Sequence, residues 1–174
     1  MFGYELRVPK ERVAVIIGEK GSIRRRIEKE TSTKVYVNTS EEYVAISAED
    51  NLNVYLCKDI IKAIARGFNP DIALRLLNEE NTFEIVDIKE YSNKSRNKLI
   101  RLRSRVIGKD GKARKNIEQM TNTDICVYGK TVGIIGSVGN VLIAKQAITK
   151  LLGGSPHSNV YRAIEDRKNG RRRF

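Results

Sequence analysis

Several residue types are scarce in this chain of 174 residues, and each scarcity excludes a class of protein. It has no Trp, one His and two Cys, and the cysteines, Cys57 and Cys126, lie far apart inside apolar segments. That spacing excludes a disulfide framework and a CxxC metal pair, and a single imidazole excludes a paired-histidine metal site. We therefore expect two buried thiols, no metal and no cofactor, and for His157 a surface or capping role.

Long apolar stretches are also missing. No segment approaches the roughly 20 apolar residues that a membrane span needs, and residues 1–10 alternate polar with apolar side chains instead of forming a secretory signal. With 40% hydrophobic and 31% charged residues, the composition is typical of a folded soluble protein. We expect a cytoplasmic protein with no membrane contact.

Acidic residues become scarce in the second part of the chain. Up to Glu80, 13 basic residues balance 13 acidic ones, whereas 20 basic residues stand against 8 acidic ones afterwards, so the whole net charge of +12 lies there. Residues 94–115 alone contain ten basic residues and one acid, Asp110. At the helical period this segment has an apolar stripe, Leu99, Leu102 and Val106. Beside it runs a cationic stripe, Lys98, Arg101 and Arg105. Such a field favours a polyanionic ligand.

The chain contains an internal duplication. The segment Gly18-Glu19-Lys20-Gly21 and the seven residues after it match Gly108-Lys109-Asp110-Gly111 and its seven followers at an offset of 90. The match continues into two β-branched strand segments and a final apolar helix, with length differences confined to loops. Two copies of one fold are therefore predicted.

Both copies have the same predicted element order, β-α-α-β-β-α. The segment 67–71 predicts a helix stop, an Asn cap and a connecting helix that starts at Pro70. A further short helix is predicted from about His157 to Arg167. The expected domains are residues 1–80 with the connecting helix, residues 81–167 with the C-terminal helix, and a basic tail at 168–174.

The two Gly-x-x-Gly segments predict a shared chemistry. Two glycines around two polar residues between helices let the backbone turn sharply and approach a ligand with no Cβ in the way. The following helix directs its N-terminus at the same point, which favours a phosphate. One such tetrapeptide is a weak signal, but a duplicated one in matched surroundings is strong.

Ile17-Gly18-Glu19-Lys20-Gly21 and Ile107-Gly108-Lys109-Asp110-Gly111, with the Ile and the strand that follow each, resemble the signature of KH domains of the eukaryotic, type I topology. The resemblance implies an α+β fold of two tandem domains, each a three-stranded sheet packed on three helices. It also implies a groove that clamps about four nucleotides of single-stranded nucleic acid, with an aliphatic floor under the bases. The floors would be lined or supported by Ile17, Ile27 and Val35 in the first copy and by Ile107, Ile117 and Ile125 in the second. Where many KH domains have an aliphatic residue three places after the second Gly, this chain has Arg24 and Arg114, which suggests an extra phosphate or base contact.

The candidate RNA-binding residues come from the two loops, their flanks and the cationic stripe. In the second copy they are Ile107, Gly108, Lys109, Asp110, Gly111, Lys112, Arg114, Lys115, Ile125, Lys98, Arg101 and Arg105. In the first copy they are Gly18, Glu19, Lys20, Gly21, Arg24 and Arg25. The charge distribution predicts that the second copy is the principal RNA site.

Over nearly its whole length the chain resembles a narrower group, the archaeal counterparts of the twin-KH assembly factors of the small ribosomal subunit. This is the partner-of-Nob and pre-rRNA-processing family. The segments that carry the likeness are 67–70, 105–111, 127–132 and 154–162. The family implies binding near the 3′ end of small-subunit rRNA, cooperation with an endonuclease of rRNA maturation, and contact with the alpha subunit of translation initiation factor two.

Three other functions compete with RNA binding. For an enzyme, Gly129-Lys130-Thr131 resembles the end of a P-loop, but Asp124 stands where that motif needs Gly, and no other catalytic grouping occurs. A protein-binding scaffold, linking initiation factor two or a processing nuclease to RNA, fits the neutral first copy in part. A single-stranded DNA binder stays open, because a KH groove accepts either sugar. No catalytic residue is predicted.

Overall fold

This computed structural model describes residues 1–170, and within them the chain divides into two compact units between Glu79 and Glu80. Each unit repeats the order β-α-α-β-β-α with an antiparallel three-stranded sheet, so the predicted α+β class and duplicated topology are confirmed.

The first unit contains three strands and four helices. Its strands are β1 Phe2–Arg7, β2 Lys34–Asn38 and β3 Tyr43–Ala48. Its helices are α1 Lys10–Ile17, α2 Ser22–Thr31, α3 Asn51–Ala65 and α4 Pro70–Ala73. The connecting helix predicted after Pro70 is shorter than expected, because the backbone tightens into a 3-10 turn at Leu74–Leu77. The Asn69 side chain caps α4 as predicted, accepting a hydrogen bond from the amide of Asp71 at 2.9 Å.

Within residues 80–170, which the structure describes, the second unit contains three strands and five helices. Its strands are β4 Asn81–Asp87, β5 Asp124–Tyr128 and β6 Thr131–Ser137. Its helices are α5 Lys89–Ser92, α6 Arg96–Ile107, α7 Lys112–Thr121, α8 Val138–Leu152 and α9 His157–Lys168. The alternation of residues 83–89 predicts a strand that reaches Lys89, but β4 ends at Asp87, whose carboxylate accepts the Lys89 amide proton at 2.9 Å, and helix α5 follows from Lys89.

Both sheets have the last strand of the unit in the centre, in the orders β1-β3-β2 and β4-β6-β5. Ile46 pairs with Tyr4 on one side and Val35 on the other, and Ile134 occupies the same place between Glu84 and Ile125. Because side chains alternate along a strand, this register directs one face of each sheet to the helices.

The core of each unit lies between that face and the helices. In the second unit Ile134, Val106, Ile117 and Ile148 are fully buried in one cluster, and in the first unit Ile46, Ile16, Ile27 and Ile61 are buried at the corresponding places. The apolar stripe predicted on α6 contributes Leu102 and Val106 to this core, with Leu99 half-buried against it. The packing therefore fixes which face of α6 remains for solvent.

The predicted basic tail, residues 168–174, begins at the last residue of α9, and residues 171–174 lie outside the described residues. No helix in the described part of the chain is long and apolar enough to cross a membrane.

Candidate nucleic-acid interface

Two loops with the same backbone join the first two long helices of each unit. The first loop is Gly18–Gly21 between α1 and α2, and the second loop is Gly108–Gly111 between α6 and α7. Their glycines have φ/ψ of 72°/178° and 76°/17° in the first loop, and of 73°/174° and 73°/13° in the second. The duplicated sequence therefore encodes a duplicated geometry.

The first glycine of each loop is required by both its dihedral angles and its surroundings. A φ near 70° with an extended ψ is a region that essentially only glycine adopts. A Cβ on Gly108 would lie 2.7 Å from the backbone nitrogen of Ala113, and a Cβ on Gly18 would lie 2.8 Å from that of Ile23. The loop and the following helix are therefore in closer contact than any other residue type allows.

The inner residues of the loops carry opposite charges at matching positions. Lys20 and Asp110 occupy the same left-handed position, with φ of 50° and 55°, so Glu19 corresponds to Lys109. All four side chains are exposed. Because the residue before the left-handed position is acidic in the first loop and basic in the second, a phosphate approaching there meets repulsion in one unit and attraction in the other.

The basic residues after the loops differ in how many partners they have. Lys112 and Lys115 are exposed on α7, whereas Arg114 is half-buried, with an ion pair to Glu118 at 2.9 Å and a hydrogen bond to the Ile125 carbonyl at 3.3 Å. In the first unit Arg25 donates to the Lys20 carbonyl at 2.8 Å. The Nε atom of Arg24 is buried and has no hydrogen-bond partner among the described residues.

The predicted aliphatic floor lies mostly beneath the surface. Ile125, Ile117 and their counterparts Val35 and Ile27 are at most 3% exposed, so they support the groove from the core. Ile17 and Ile107, each the last residue before a loop, are half-buried and form the accessible part of the floor. The amides of Val35 and Ile125 donate to the carboxylates of Glu28 and Glu118 at 2.8 Å, which ties each second helix to the strand beside the groove.

The cationic stripe of α6 is divided by its contacts. Arg101 is exposed and Lys98 half-buried, but Arg105 donates from Nε to the Leu151 carbonyl at 3.1 Å and from Nη2 to the Ser155 carbonyl at 2.5 Å. Arg105 thus holds α6 to the end of α8, a structural task that the sequence stripe did not indicate. Its contact with RNA stays a prediction.

The first unit also has an arginine that donates two hydrogen bonds to carbonyls beyond its helix, an arrangement we call the arginine clip, but it lies at a different helix position. Arg12 donates from Nε to the Ile64 carbonyl and from Nη2 to the Phe68 carbonyl, both at 2.8 Å. Arg12 lies six residues before its loop and Arg105 three, so the two arginines do not align in the sequence comparison. Only the carbonyls, at the C-terminal ends of α3 and α8, correspond.

Residues missed by the sequence analysis lie on the α6 face that continues from Ile107. Ile100, which is 50% exposed, and Arg103 precede Ile107 by seven and four residues, so the helical period places all three on one side. The Nε atom of Arg103 is buried without a hydrogen-bond partner in the described part of the chain. Counting back from Ile107 by four and by seven residues, the spacing of one helix face, would have indicated both residues from the sequence.

The cysteines and the histidine lie apart from the loops. Cys57 is buried and accepts a hydrogen bond from Thr33 at 3.3 Å, and burial raises the pKa of its thiol. Cys126 is only half-buried, so the expectation of two buried thiols holds for Cys57 alone. His157 begins α9 and places Nε2 2.8 Å from the Arg105 carbonyl oxygen, a contact near a helix end in line with the expected capping role.

Two loops of this geometry, each next to a helix N-terminus and a three-stranded sheet of β1-β3-β2 order, define a protein with two KH domains of type I. A family model described as eukaryotic-type KH domain (KH-domain type I) matches residues 82–169, and a KH domain model matches residues 3–63.

Individual relatives narrow the class. The KH domain-containing protein MJ0443 of Methanocaldococcus jannaschii is 44% identical over 163 residues, covering 92% of this chain and 71% of that protein. The pre-rRNA-processing protein PNO1 of Coccidioides immitis is 36% identical over 108 residues, covering 60% of this chain but only 41% of the fungal protein.

A solved structure covers almost the whole chain. It is described as an a/eIF2alpha-aDim2p-rRNA complex from Pyrococcus horikoshii, and it matches with a TM-score of 0.89 and 43% identity over 97% of this chain and 95% of that one. The chain belongs to the Dim2/PNO1 family of twin-KH proteins, as the sequence resemblance predicted.

Proposed function

We propose that this protein binds single-stranded RNA near the 3′ end of small-subunit rRNA during assembly of the small ribosomal subunit, with the second unit as the principal site. The observation that carries the proposal is the second loop, which presents exposed Lys109 on a KH-type turn inside a strongly cationic segment. The names of the relatives support it, since one is a pre-rRNA-processing protein and one was solved with rRNA.

The second loop would act on the RNA backbone. Lys109, Lys112 and Lys115 are all exposed around the start of α7, where the helix dipole adds a favourable field for phosphate. The bases would then lie over Ile107 and the adjoining α6 surface, with Ile117 and Ile125 supporting that surface from below. Sequence preference in this arrangement would come from contacts to base edges beside the floor.

The proposal is that the protein acts by binding RNA, without catalysing a reaction, and that it does so in the cytoplasm. The names of the relatives describe RNA binding and pre-rRNA processing, and the exposed Lys109, Lys112 and Lys115 around the second loop are suited to phosphate contacts. The cutting of rRNA would then belong to a partner endonuclease.

A second candidate is a scaffold that brings the alpha subunit of translation initiation factor two, or the processing nuclease, to RNA. The specific support is the archaeal relative solved in a complex with a/eIF2alpha as well as rRNA. The first unit suits this role because its basic and acidic residues balance and its loop carries Glu19 in place of Lys109.

Exchanging the loop charges tests the proposal. In Lys109→Glu the second loop acquires the charge of the first, both glycines stay, and one charge-assisted phosphate contact is replaced by repulsion. We expect a loss of about 2 to 4 kcal/mol in binding, roughly 30-fold to 1,000-fold, for RNA copied from the small-subunit rRNA 3′ end. Fluorescence anisotropy titrations would measure it.

The reciprocal variant, Glu19→Lys, is the matched control, because it changes the charge by the same amount at the same loop position of the first unit. It should bind RNA at least as tightly as the parent, and circular dichroism should be unchanged in both variants. Binding by Lys109→Glu that equals the parent would refute the second loop as principal site. Titration with a matched DNA strand would decide whether the groove selects ribose.

A further inference from the structure

The two units differ most between their first strand and first long helix. In the first unit only residues 8–9 separate β1 from α1, whereas residues 88–95, including helix α5, separate β4 from α6. The sequence comparison aligned the loops but not this segment, because its extra length lies upstream of the match. We call residues 88–95 the insertion.

The insertion is held in place by hydrogen bonds at both ends and in the middle. The Ile88 amide donates to the Lys130 carbonyl in the β5-β6 turn at 2.9 Å, and Ile88 itself is fully buried in the core. This end is anchored in the way common to both units, because Val8 of the first unit is likewise buried and its amide donates to the Glu42 carbonyl. Ser92, which is 2% exposed, donates from Oγ to the Lys89 carbonyl at 3.1 Å, and the Ser95 amide donates to the Ser92 carbonyl at 2.9 Å. The insertion is therefore a built part of the unit.

A cleft of about 580 Å³ lies between the insertion, the start of α6 and the β5-β6 turn. We call it the basic cleft, and its lining residues are Lys89, Ser92, Lys94, Ser95, Arg96, Leu99 and Lys130. Every charged side chain in that lining is cationic. The carboxylates beside Lys89 are Asp87, which accepts the Lys89 amide proton, and the exposed Glu90, and neither of them lines the cleft.

Arg96, one wall of the basic cleft, lies on the same face of α6 as the floor of the candidate RNA groove, and Leu99, about 80° away, forms the wall toward the core. Arg96 precedes Ile107 by eleven residues, which is three helical turns to within about 20°, and Ile100 and Arg103 lie between them on that face. Eleven residues of helix span about 17 Å. An RNA strand with ~3.4 Å between phosphates covers this distance in about five nucleotides, and a more extended strand needs fewer. RNA leaving the second loop along α6 would therefore reach the cleft.

We propose that the basic cleft is a second phosphate-binding subsite, which takes a nucleotide of the same RNA strand outside the four held at the second loop. This rests on the proposed RNA-binding function and goes beyond it. The cleft volume is in the range that encloses a small ligand, Leu99 supplies an apolar wall, and four cations surround the space. The first unit has two residues in place of the insertion, with Lys10 at the position of Arg96 but Glu42 at the position of Lys130.

An RNA length series tests the subsite. The cleft variant Lys89→Ala/Arg96→Ala/Lys130→Ala removes three cations whose side chains are exposed. Against an RNA of about twelve nucleotides from the small-subunit rRNA 3′ end, we expect affinity to fall by about 10- to 100-fold. Against an RNA of about four nucleotides it should change by less than about threefold. The slope of log affinity against log salt should flatten by about two units for the longer RNA only.

The control variant Lys10→Ala/Lys29→Ala/Lys62→Ala removes the same charge from exposed positions of the first unit, and Lys10 begins α1 as Arg96 begins α6. It should weaken both RNAs equally and by less than about threefold. The charge-preserving variant Lys89→Arg/Arg96→Lys/Lys130→Arg should bind the longer RNA within about threefold of the parent, which separates lost charge from a disturbed insertion.

The outcomes separate this subsite from the proposed function. If the parent binds the longer RNA and the cleft variant loses no more than the control, the subsite is refuted while RNA binding stands. If the parent binds neither RNA, both proposals fail. RNAs with and without a terminal phosphate identify which phosphate occupies the cleft. If the cleft variant loses affinity only for RNA that has a terminal phosphate, the occupant is the end of the strand. If it loses affinity for both RNAs, the occupant is an internal phosphate.

Discussion

At the scale of single residues, charge in the sequence and availability in the structure are different properties. Arg101 and Arg105 belong to one sequence stripe, yet Arg101 is exposed and Arg105 holds the carbonyls of Leu151 and Ser155. Leu151 lies in the last turn of α8 and Ser155 in the turn that leads to α9, so Arg105 ties α6 to both sides of that turn. Neutralising the whole stripe would therefore change stability and RNA binding together.

Arg105→Ala should lower the free energy of unfolding by about 2 to 3 kcal/mol, because two charge-assisted hydrogen bonds in a half-buried site are lost. Arg101→Ala, at an exposed position four residues earlier, should change it by less than about 0.5 kcal/mol. Urea unfolding followed by circular dichroism measures both. Equal stability of the two variants would show that the clip contributes nothing.

At the scale of elements, the helix-loop-helix segments explain why two glycines are needed and why they are not equivalent. Gly108 combines a φ/ψ region reserved for glycine with close contact to Ala113, whereas Gly111 is left-handed with only the ends of Arg114 and Lys115 near its missing Cβ, at 3.8 Å. The first glycine is thus constrained by packing, and the second by backbone conformation alone.

Gly108→Ala should therefore destabilise the protein by about 3 kcal/mol or more, since strain and a clash with backbone act together. Gly111→Ala should cost about 1 to 2 kcal/mol, the penalty for an ordinary residue in the left-handed region. Thermal and urea unfolding of both variants would rank them. A larger loss for Gly111→Ala would contradict the packing account.

At the scale of the whole molecule, the two units share one fold but differ in net charge. Each unit has its own sheet and its own buried core, while the net charge is zero up to Glu80 and +12 after it. Because fold depends on the apolar pattern and ligand choice on the charged surface, the units keep one topology while their affinities for a polyanion differ.

We propose that residues 1–80 and 81–167 are independent folding domains. Each fragment, prepared alone, should show the circular dichroism of an α+β domain and a cooperative urea transition. The second fragment should bind the RNA of about twelve nucleotides within about tenfold of the full chain, and the first should bind it far more weakly. A second fragment that stays unfolded in the absence of the first would refute this division.

The sequence by itself determined the duplicated element order, the loop positions and the location of the charge. These follow from local properties: strand and helix periods, glycine spacing and counts of ionisable residues. They were sufficient to predict three strands in each unit and to align Glu19 with Lys109, whereas the three-stranded sheets were implied by the family resemblance.

Only the tertiary structure decided which cations remain available for a ligand. The partners of Arg105 lie 46 and 50 residues away, and Lys130 comes beside the insertion only because β6 pairs with β4, so no local pattern indicates either contact. The α6 segment therefore looked uniformly cationic in sequence, while packing turned one arginine into a clip and gathered Lys89, Arg96 and Lys130 around a cleft. Side-chain availability depends on long-range contacts, and these form only when the whole unit folds.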